Sequence, residues 1–262
     1  MTALVRILPL MPGSGRRAGR LVERNLWVYR RGWLVIFSGF FEPLFYLIGI
    51  GFGLGALVGD VNGLSYAQFV APALLATAAM NGAIYDSTFN MFFKLKYAKT
   101  YDAVLSTPLG VGDVALGEVT WALIRGTLYA LGFIVVILML GLASSAWSLL
   151  AIPAAMLIGF AAAAIGTSAT TFMRKWQDFD LIFVITLPLF LFSATFFPIT
   201  AYPEPIRTLV EFTPLYRGVH LIRGLTTDSI EWTMLLDVAY LLILGLAGMA
   251  IVSRRLRFLL LK

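Results

Sequence analysis

The stretch GFFEPLFYLIGIGFGLG, residues 39–55, is apolar and long enough to belong to a membrane-spanning helix, yet Glu42 and Pro43 stand side by side within it. A run of about twenty apolar residues crosses the ~30 Å hydrocarbon layer at 1.5 Å per residue. If the run begins at Trp33, Glu42 lies about 13 Å in, near the midplane. A charge there is unfavourable by at least ~2.5 kcal/mol, so Glu42 is expected to face protein or a wet cavity, or to be protonated. Pro43 withholds an amide hydrogen from the Gly39 carbonyl and is expected to bend the helix. Gly49, Gly51, Gly53 and Gly55 follow as two overlapping GxxxG spacings, the pattern of close helix approach. A buried, hydrogen-bonded acid at a packing kink and a conformational hinge or polar relay both fit this stretch.

Working outward, hydrophobic residues make up 60% of the 262-residue chain, charged residues 13%, and the mean hydropathy is +0.87. A soluble domain is nearer half apolar and a quarter charged. The expected fold class is therefore an all-α polytopic membrane protein. Six spans are predicted, at about 33–57, 66–92, 115–140, 147–172, 178–198 and 232–252. They form a membrane domain over 33–252, between a cytoplasmic N-terminus at 1–32 and a tail at 253–262. No cleavable signal peptide is expected, because the first 32 residues carry seven arginines and no apolar core ending at small residues.

Orientation follows the basic residues. Arg6, Arg16, Arg17, Arg20, Arg24, Arg30 and Arg31 precede the first span. Lys94, Lys96 and Lys99 lie between the second and third, and Arg174 and Lys175 between the fourth and fifth. Arg254, Arg255, Arg257 and Lys262 end the chain. These are 16 of the 20 basic residues, all on one side of a six-span topology. Both termini are predicted to be cytoplasmic, in the inner membrane of a bacterium. Ala18, Val22, Leu26, Tyr29 and Trp33 recur at helical spacing opposite Arg17, Arg20, Arg24 and Arg31. This predicts an amphipathic interfacial helix in the headgroup layer, or a positive anchor that only fixes topology.

The segment between the fifth and sixth spans, 199–231, holds Pro203, Pro205 and Pro214 among apolar residues. Two short helices are predicted near 204–211 and 214–224, opening at or near prolines and re-entering the outer leaflet.

Much chemistry is excluded. No GxxxxGK[ST] loop, HExxH, CxxC or GxSxG occurs; cysteine is absent and histidine occurs once. The chain is expected not to be an enzyme and to bind no metal or cofactor, and no nucleic-acid partner is expected. The halves show no inverted repeat.

The stretch EPLFYLIGIGFGLGALVG at 42–59 resembles the first-span signature of ABC-2 type exporter permeases, in particular the nodulation (NodJ-like) branch. YDAVLSTPLGVGDVALGEVTWALIRG at 101–126 and FFPITAYPEPIRTLVEFTPLYRGVHLIRG at 196–224 agree in order, and the likeness covers nearly all of the chain after about residue 20. The resemblance implies a transmembrane subunit that exports an amphipathic or lipid-like substrate (a drug, lipid or glycolipid). Two permease subunits, identical or homologous, would enclose the path, and separate ABC ATPase subunits would bind ATP and Mg.

The resemblance also places a coupling helix at about 97–108, where Tyr97, Tyr101, Asp102, Val104 and Leu105 would meet the ATPase and Pro108 stops the helix. Packing of this stripe against the chain's own helices is the competing reading. Asp113 and Glu118 open the third span. Arg125 shares a face with Glu118 but cannot touch it, and needs an acid from another helix, Glu42 or Asp86. The resemblance implies a slit lined by the second span (Met80, Asn81, Tyr85, Phe89) and the fifth (Phe183, Thr186, Phe190, Phe196, Phe197). It also implies an outer cap marked by Pro198, Pro203, Pro214 and Arg223. The rivals are a proton-coupled secondary transporter using Glu42 and Asp86, and a membrane receptor or assembly factor that transports nothing.

Overall fold

Apolar runs in a solvent without hydrogen-bonding capacity must satisfy their backbone internally, and helices do so within one segment. The computed structural model accordingly describes residues 14–261 as helices and short connections, with a single β-bridge between Val61 and Leu64. Arg6 and Lys262 lie outside the described residues, as do the side chains of Arg31 and Trp33.

Helix α1 is Ser14–Arg31. Helix α2, Trp33–Tyr46, continues through a π-helical stretch, Leu47–Leu54, to a last turn at Gly55–Val58. Helix α3, Tyr66–Tyr85, likewise runs on through π turns at Asp86–Asn90 and Phe93–Tyr97. The short α4 is Thr100–Leu105 and α5 is Val111–Met139. Helices α6, Ala151–Thr170, and α7, Phe179–Phe192, are followed by α8, Glu204–Glu211, α9, Pro214–Thr226, and α10, Thr233–Leu260.

Among the described residues, five helices are long and apolar enough to cross a membrane: Gly39–Val58, Tyr66–Tyr97, Val111–Met139, Ala146–Thr170 and Thr233–Leu260. They match five of the six predicted spans. The remaining one, 178–198, contains α7, whose 14 residues rise only about 21 Å. Its helix stops at Ser193, and Ala194 adopts a left-handed φ of +55°.

The bundle is centred on α3, of whose apolar window 83% is buried, against 17% for α2. Alanine and glycine make this possible. A Cβ on Gly126 of α5 would come within 2.5 Å of the Ala79 carbonyl oxygen of α3, and one on Gly82 within 2.9 Å of the Gly126 Cα. With no hydrophobic drive between helices in lipid, such close backbone approach supplies the dispersion contacts that hold them. The tyrosine ring of Tyr129 is wedged between Gly39 and Gly82, neither of which could carry a side chain there. Of the glycine series in α2, Gly51 and Gly55 face Leu47, Ala67 and Tyr66, while a Cβ on Gly49 would meet nothing within 4 Å. Helix α2 passes through Pro43 without ending; the helical widening begins one turn later, at Leu47.

Helix α1 is rotated relative to the predicted amphipathic face. Ala18, Leu21 and Asn25 are buried, whereas Leu26, Trp27 and Val28 are exposed. The cause is α5, against which α1 packs: Gly117 admits Leu21 and the Ala18 carbonyl at 2.9–3.2 Å from where its Cβ would be.

The two helices predicted between the last spans are α8 and α9. Pro203 precedes α8, while Thr213 caps α9 by accepting from the Tyr216 amide at 3.3 Å. Helix α9 packs on α3, α6 and α10. The basic stretch from 253 onward is the end of α10.

Candidate functional site: a buried polar ladder and the cavity beside it

Polar side chains on α1, α3 and α5 meet inside the apolar bundle. Asp86 sits where α3 loosens into its first π turn, a geometry that frees carbonyls from the regular ladder. Thr170 of α6 donates to one of them, the Ser87 carbonyl, at 2.9 Å. Asp86 is paired with Arg125: Nη1 lies 2.7 Å from Oδ1, and the two side chains are 9% and 1% exposed. The structure thus selects Asp86, not Glu42, as the partner of Arg125. Tyr29 donates to Asp86 Oδ1 at 3.3 Å and accepts from Arg125 Nη1 at 3.3 Å, and Asn90 Nδ2 donates to the same Oδ1 at 3.0 Å. Arg125 Nη2 donates to Tyr129 at 2.8 Å, and the guanidinium lies over the Tyr29 ring at 5.1 Å. Burial, with Asp86 beside it, pushes the Tyr29 phenol up to about 12.

A second buried pair lies on the same helices. Lys94 Nζ is 2.8 Å from Glu118 Oε2 and donates to Asn25 Oδ1 at 3.2 Å. The Tyr101 hydroxyl is buried next to the Glu118 carboxylate, and burial first, the carboxylate second, hold its phenol well above the usual range. Charge counting had assigned Lys94 to the cytoplasmic loop between the second and third spans. The signal against that reading was Glu118, an acid inside an apolar span that needs a cation within reach.

Glu42 belongs to a different environment. With Pro43, Asn81, Tyr85, Arg125 and Phe190 it lines a cavity of about 280 Å³ between α2, α3, α5 and α7. Five of these six residues were singled out from sequence as polar, hinge or pathway positions, and the sixth, Phe190, as a pathway aromatic. Tyr46 closes one wall, its ring 5.1 Å from that of Phe190, which in turn packs edge-on against Phe196 at 5.1 Å.

The other pathway residues are dispersed. Phe89 stacks on Phe179 at 4.2 Å and lies 6.0 Å from Phe183, joining α3 to α7 away from the cavity. Met80 and Thr186 line a separate apolar crevice, and Phe197 is exposed.

Helix α4 divides the predicted coupling residues. Tyr101 and Val104 are buried with Leu21 of α1, Val114 of α5, and Val252 and Leu256 of α10. They pack within the chain, so the stripe is not wholly a free surface. Tyr97, Asp102 and Pro108 are exposed, and Leu105 is partly so. This cluster gathers α1, the 94–108 loop and the end of α10 at one end of the bundle, and Arg255 donates to the Thr171 carbonyl there at 3.3 Å.

At the other end, Arg223 of α9 donates to the Phe69 carbonyl at 3.0 Å and the Ala194 carbonyl at 2.8 Å, and Tyr66 donates to the Phe196 carbonyl at 3.1 Å. These bonds satisfy irregular backbone near Pro198. Pro203 and Pro214 stand at the starts of α8 and α9. A cluster missed from sequence lies beside them: Asp237 of α10, fully buried, accepts from Arg217 at 3.0 Å and faces His220 Nδ1 at 2.6 Å. An acid five residues into the last apolar run was its legible sign.

A helical bundle with several helices able to cross a membrane and paired charges in its interior is the build of a polytopic membrane protein. The ABC-2 type transporter family model matches residues 17–226, and the chain belongs to that family. It is 34% identical to nodulation protein J of Rhizobium leguminosarum bv. trifolii over 81% of this chain and 82% of that protein. It is 30% identical to nodulation protein J of Rhizobium leguminosarum bv. viciae over 94% of this chain and 97% of the relative. The inner membrane transport permease YadH of Escherichia coli K12 is 27% identical over 68% of this chain and 69% of its own length.

Proposed function

We propose that the chain is the transmembrane permease subunit of an ATP-driven exporter, moving an amphipathic or lipid-like substrate out across the bacterial inner membrane. Family membership supports the transport role. One structural observation supports the coupling: Asp102 of α4, with Tyr97 just before it, faces outward while Tyr101 and Val104 anchor the helix to α1, α5 and α10. A push on that small surface would reach three helices at once. The ATPase, with its ATP and Mg, is a separate subunit, and two permease subunits form the path.

Six crossings are part of this reading, α7 being the fifth. Its 14 helical residues are completed by 193–198, whose carbonyls Tyr66 and Arg223 satisfy, as irregular backbone at membrane depth requires. The shared cluster of α1, α4 and α10 supports both termini on one side, and their arginines support the cytoplasmic side. Helices α8 and α9 then act as the outer cap. The proton-coupled alternative loses half of its titrating pair, because Asp86 is committed to Arg125.

The test is co-purification of the full chain with ABC ATPase subunits in lipid. Asp102→Arg alters only the outer side of α4 and is expected to abolish the complex and its ligand-stimulated ATP hydrolysis while leaving the chain folded. A chain that transports on a pH gradient with no ATPase bound would overturn the reading.

A further inference from the structure

The ion pairs of the ladder leave one charged group over. Arg125 and Asp86 both bear charge at 2.7 Å and offset one another, so their contribution to the adjoining cavity is close to neutral. Glu42 lines the same cavity at its mouth, where it is exposed in the single chain, and has no hydrogen-bonding or ion-pair partner among the described residues. Around it stand the rings of Tyr46, Tyr85 and Phe190, with the Asn81 amide as a further polar group. An unpartnered carboxylate at membrane depth is unfavourable unless a ligand or proton answers it. Aromatic faces carry negative quadrupole density and attract cations, most strongly where water is scarce. A carboxylate with aromatic walls is the chemistry that recognises an organic ammonium group.

We propose that this cavity binds the ammonium head of an amphipathic cation, with Glu42 as counter-ion and Tyr46, Tyr85 and Phe190 as its aromatic walls. At about 280 Å³ it is just below the size of pockets that hold whole drug-sized molecules, and so fits a head group better than an entire amphipath. The apolar tail has a way out: Phe41 and Phe45 of α2 are exposed next to Glu42 and offer an apolar track along the helix. The assignment rests on the transport reading above and narrows its substrate class.

The probe is hexyltrimethylammonium, compared with its uncharged analogue in which a tert-butyl carbon replaces the ammonium nitrogen. Binding to the purified full chain in maltoside micelles is measured by titration calorimetry, without any ATPase. Wild type is expected to bind the cation, and Glu42→Gln to weaken it by about tenfold or more. Glu42→Asp, which keeps the charge, should lose less. Tyr85→Ala, which removes an aromatic wall, should lose several-fold. The uncharged analogue should bind weakly and indifferently to the state of residue 42. Equal binding of the cation by wild type and a folded Glu42→Gln, or equal binding of the two probes, overturns the proposal. Because no ATPase is present, those outcomes leave the exporter reading standing, and failure of ATPase co-purification leaves this one standing.

Discussion

Removing the carboxylate of Asp86 strands the Arg125 guanidinium in the bundle. Arg125 keeps its bond to Tyr129 and its position over the Tyr29 ring, but loses the 2.7 Å pairing with the only carboxylate that touches it among the described residues. Breaking a buried pair from one side costs about 3–5 kcal/mol. The surviving Tyr129 bond places Asp86→Ala at the lower end, about 3 kcal/mol. Tyr29 and Asn90, which also point at Asp86, are only partly buried and can rehydrate. Replacing both members by apolar residues of similar size, Asp86→Leu with Arg125→Met, removes the stranded charge and should return stability to within about 1 kcal/mol of wild type. The assay is denaturant unfolding of the full chain in micelles followed by tryptophan fluorescence, for which Trp121, 5.3 Å from the Tyr29 ring, is a local reporter. A single mutant within about 1 kcal/mol of wild type, or a double mutant less stable than the single, would refute the pairing argument.

Gly126→Ala should destabilise by about 1–2 kcal/mol, since a 2.5 Å approach to the Ala79 carbonyl outweighs the gain in helix propensity, whereas Gly49→Ala, with nothing within 4 Å, should be neutral or slightly stabilising; midpoint shifts in the same unfolding assay decide both. Tyr101→Phe, which removes a buried hydroxyl with no well-formed hydrogen bond, should leave stability within about 1 kcal/mol, while Tyr101→Ala should lose about 3–5 kcal/mol through the cavity it opens, as thermal melting will register. Asp178 accepts from the Arg174 and Lys175 amides at 2.6 and 3.1 Å, and these bonds hold its carboxyl below the usual range. A depressed folded value means the turn's stabilisation is present above the unfolded value near pH 3.9 and is lost as pH falls through the folded one, which hydrogen exchange at those two amides will report.

The apolar runs were legible because burial in lipid leaves little freedom in composition, and five of the six predicted spans follow from them. The short α8 and α9 were legible through Pro203 and Pro214, whose fixed φ marks helix starts. What was not legible depended on helix rotation. The face of α1 was read as Ala18, Val22, Leu26 and Tyr29; Ala18 is buried as read, but the fit of Leu21 against Gly117 of α5 brings Leu21 and Asn25 inward and leaves Leu26 exposed. Lys94 was read by counting charge, yet its neighbour in space is Glu118, 24 residues away. Spacing had brought Glu118 and Arg125 onto one face and required a foreign acid for Arg125; choosing Asp86 over Glu42 needed the register of α3 against α5, which sequence pattern does not contain.

That register bears on where the molecule can bend. Asn25 and Tyr29 are four residues apart on α1, and one serves the Lys94–Glu118 pair while the other serves Arg125–Asp86. Their partners on α5 are seven residues apart and those on α3 eight. Sliding α3 against α5 would open both pairs together, each at several kcal/mol, and sliding α1 against either would break the Asn25 and Tyr29 bonds at once. Helices α1, α3 and α5 are therefore expected to move as one body, and a force arriving through α4 would be handed on whole. Flexibility must then lie in helices outside the ladder. Helix α2 is the candidate, with its Pro43, its loosened stretch at Leu47–Leu54 and little burial. A disulfide between cysteines placed on the facing sides of α1 and α5, away from Gly117, tests this: the lock should leave the transport proposed above intact, and loss of transport with the chain still folded would show that these helices part during the cycle.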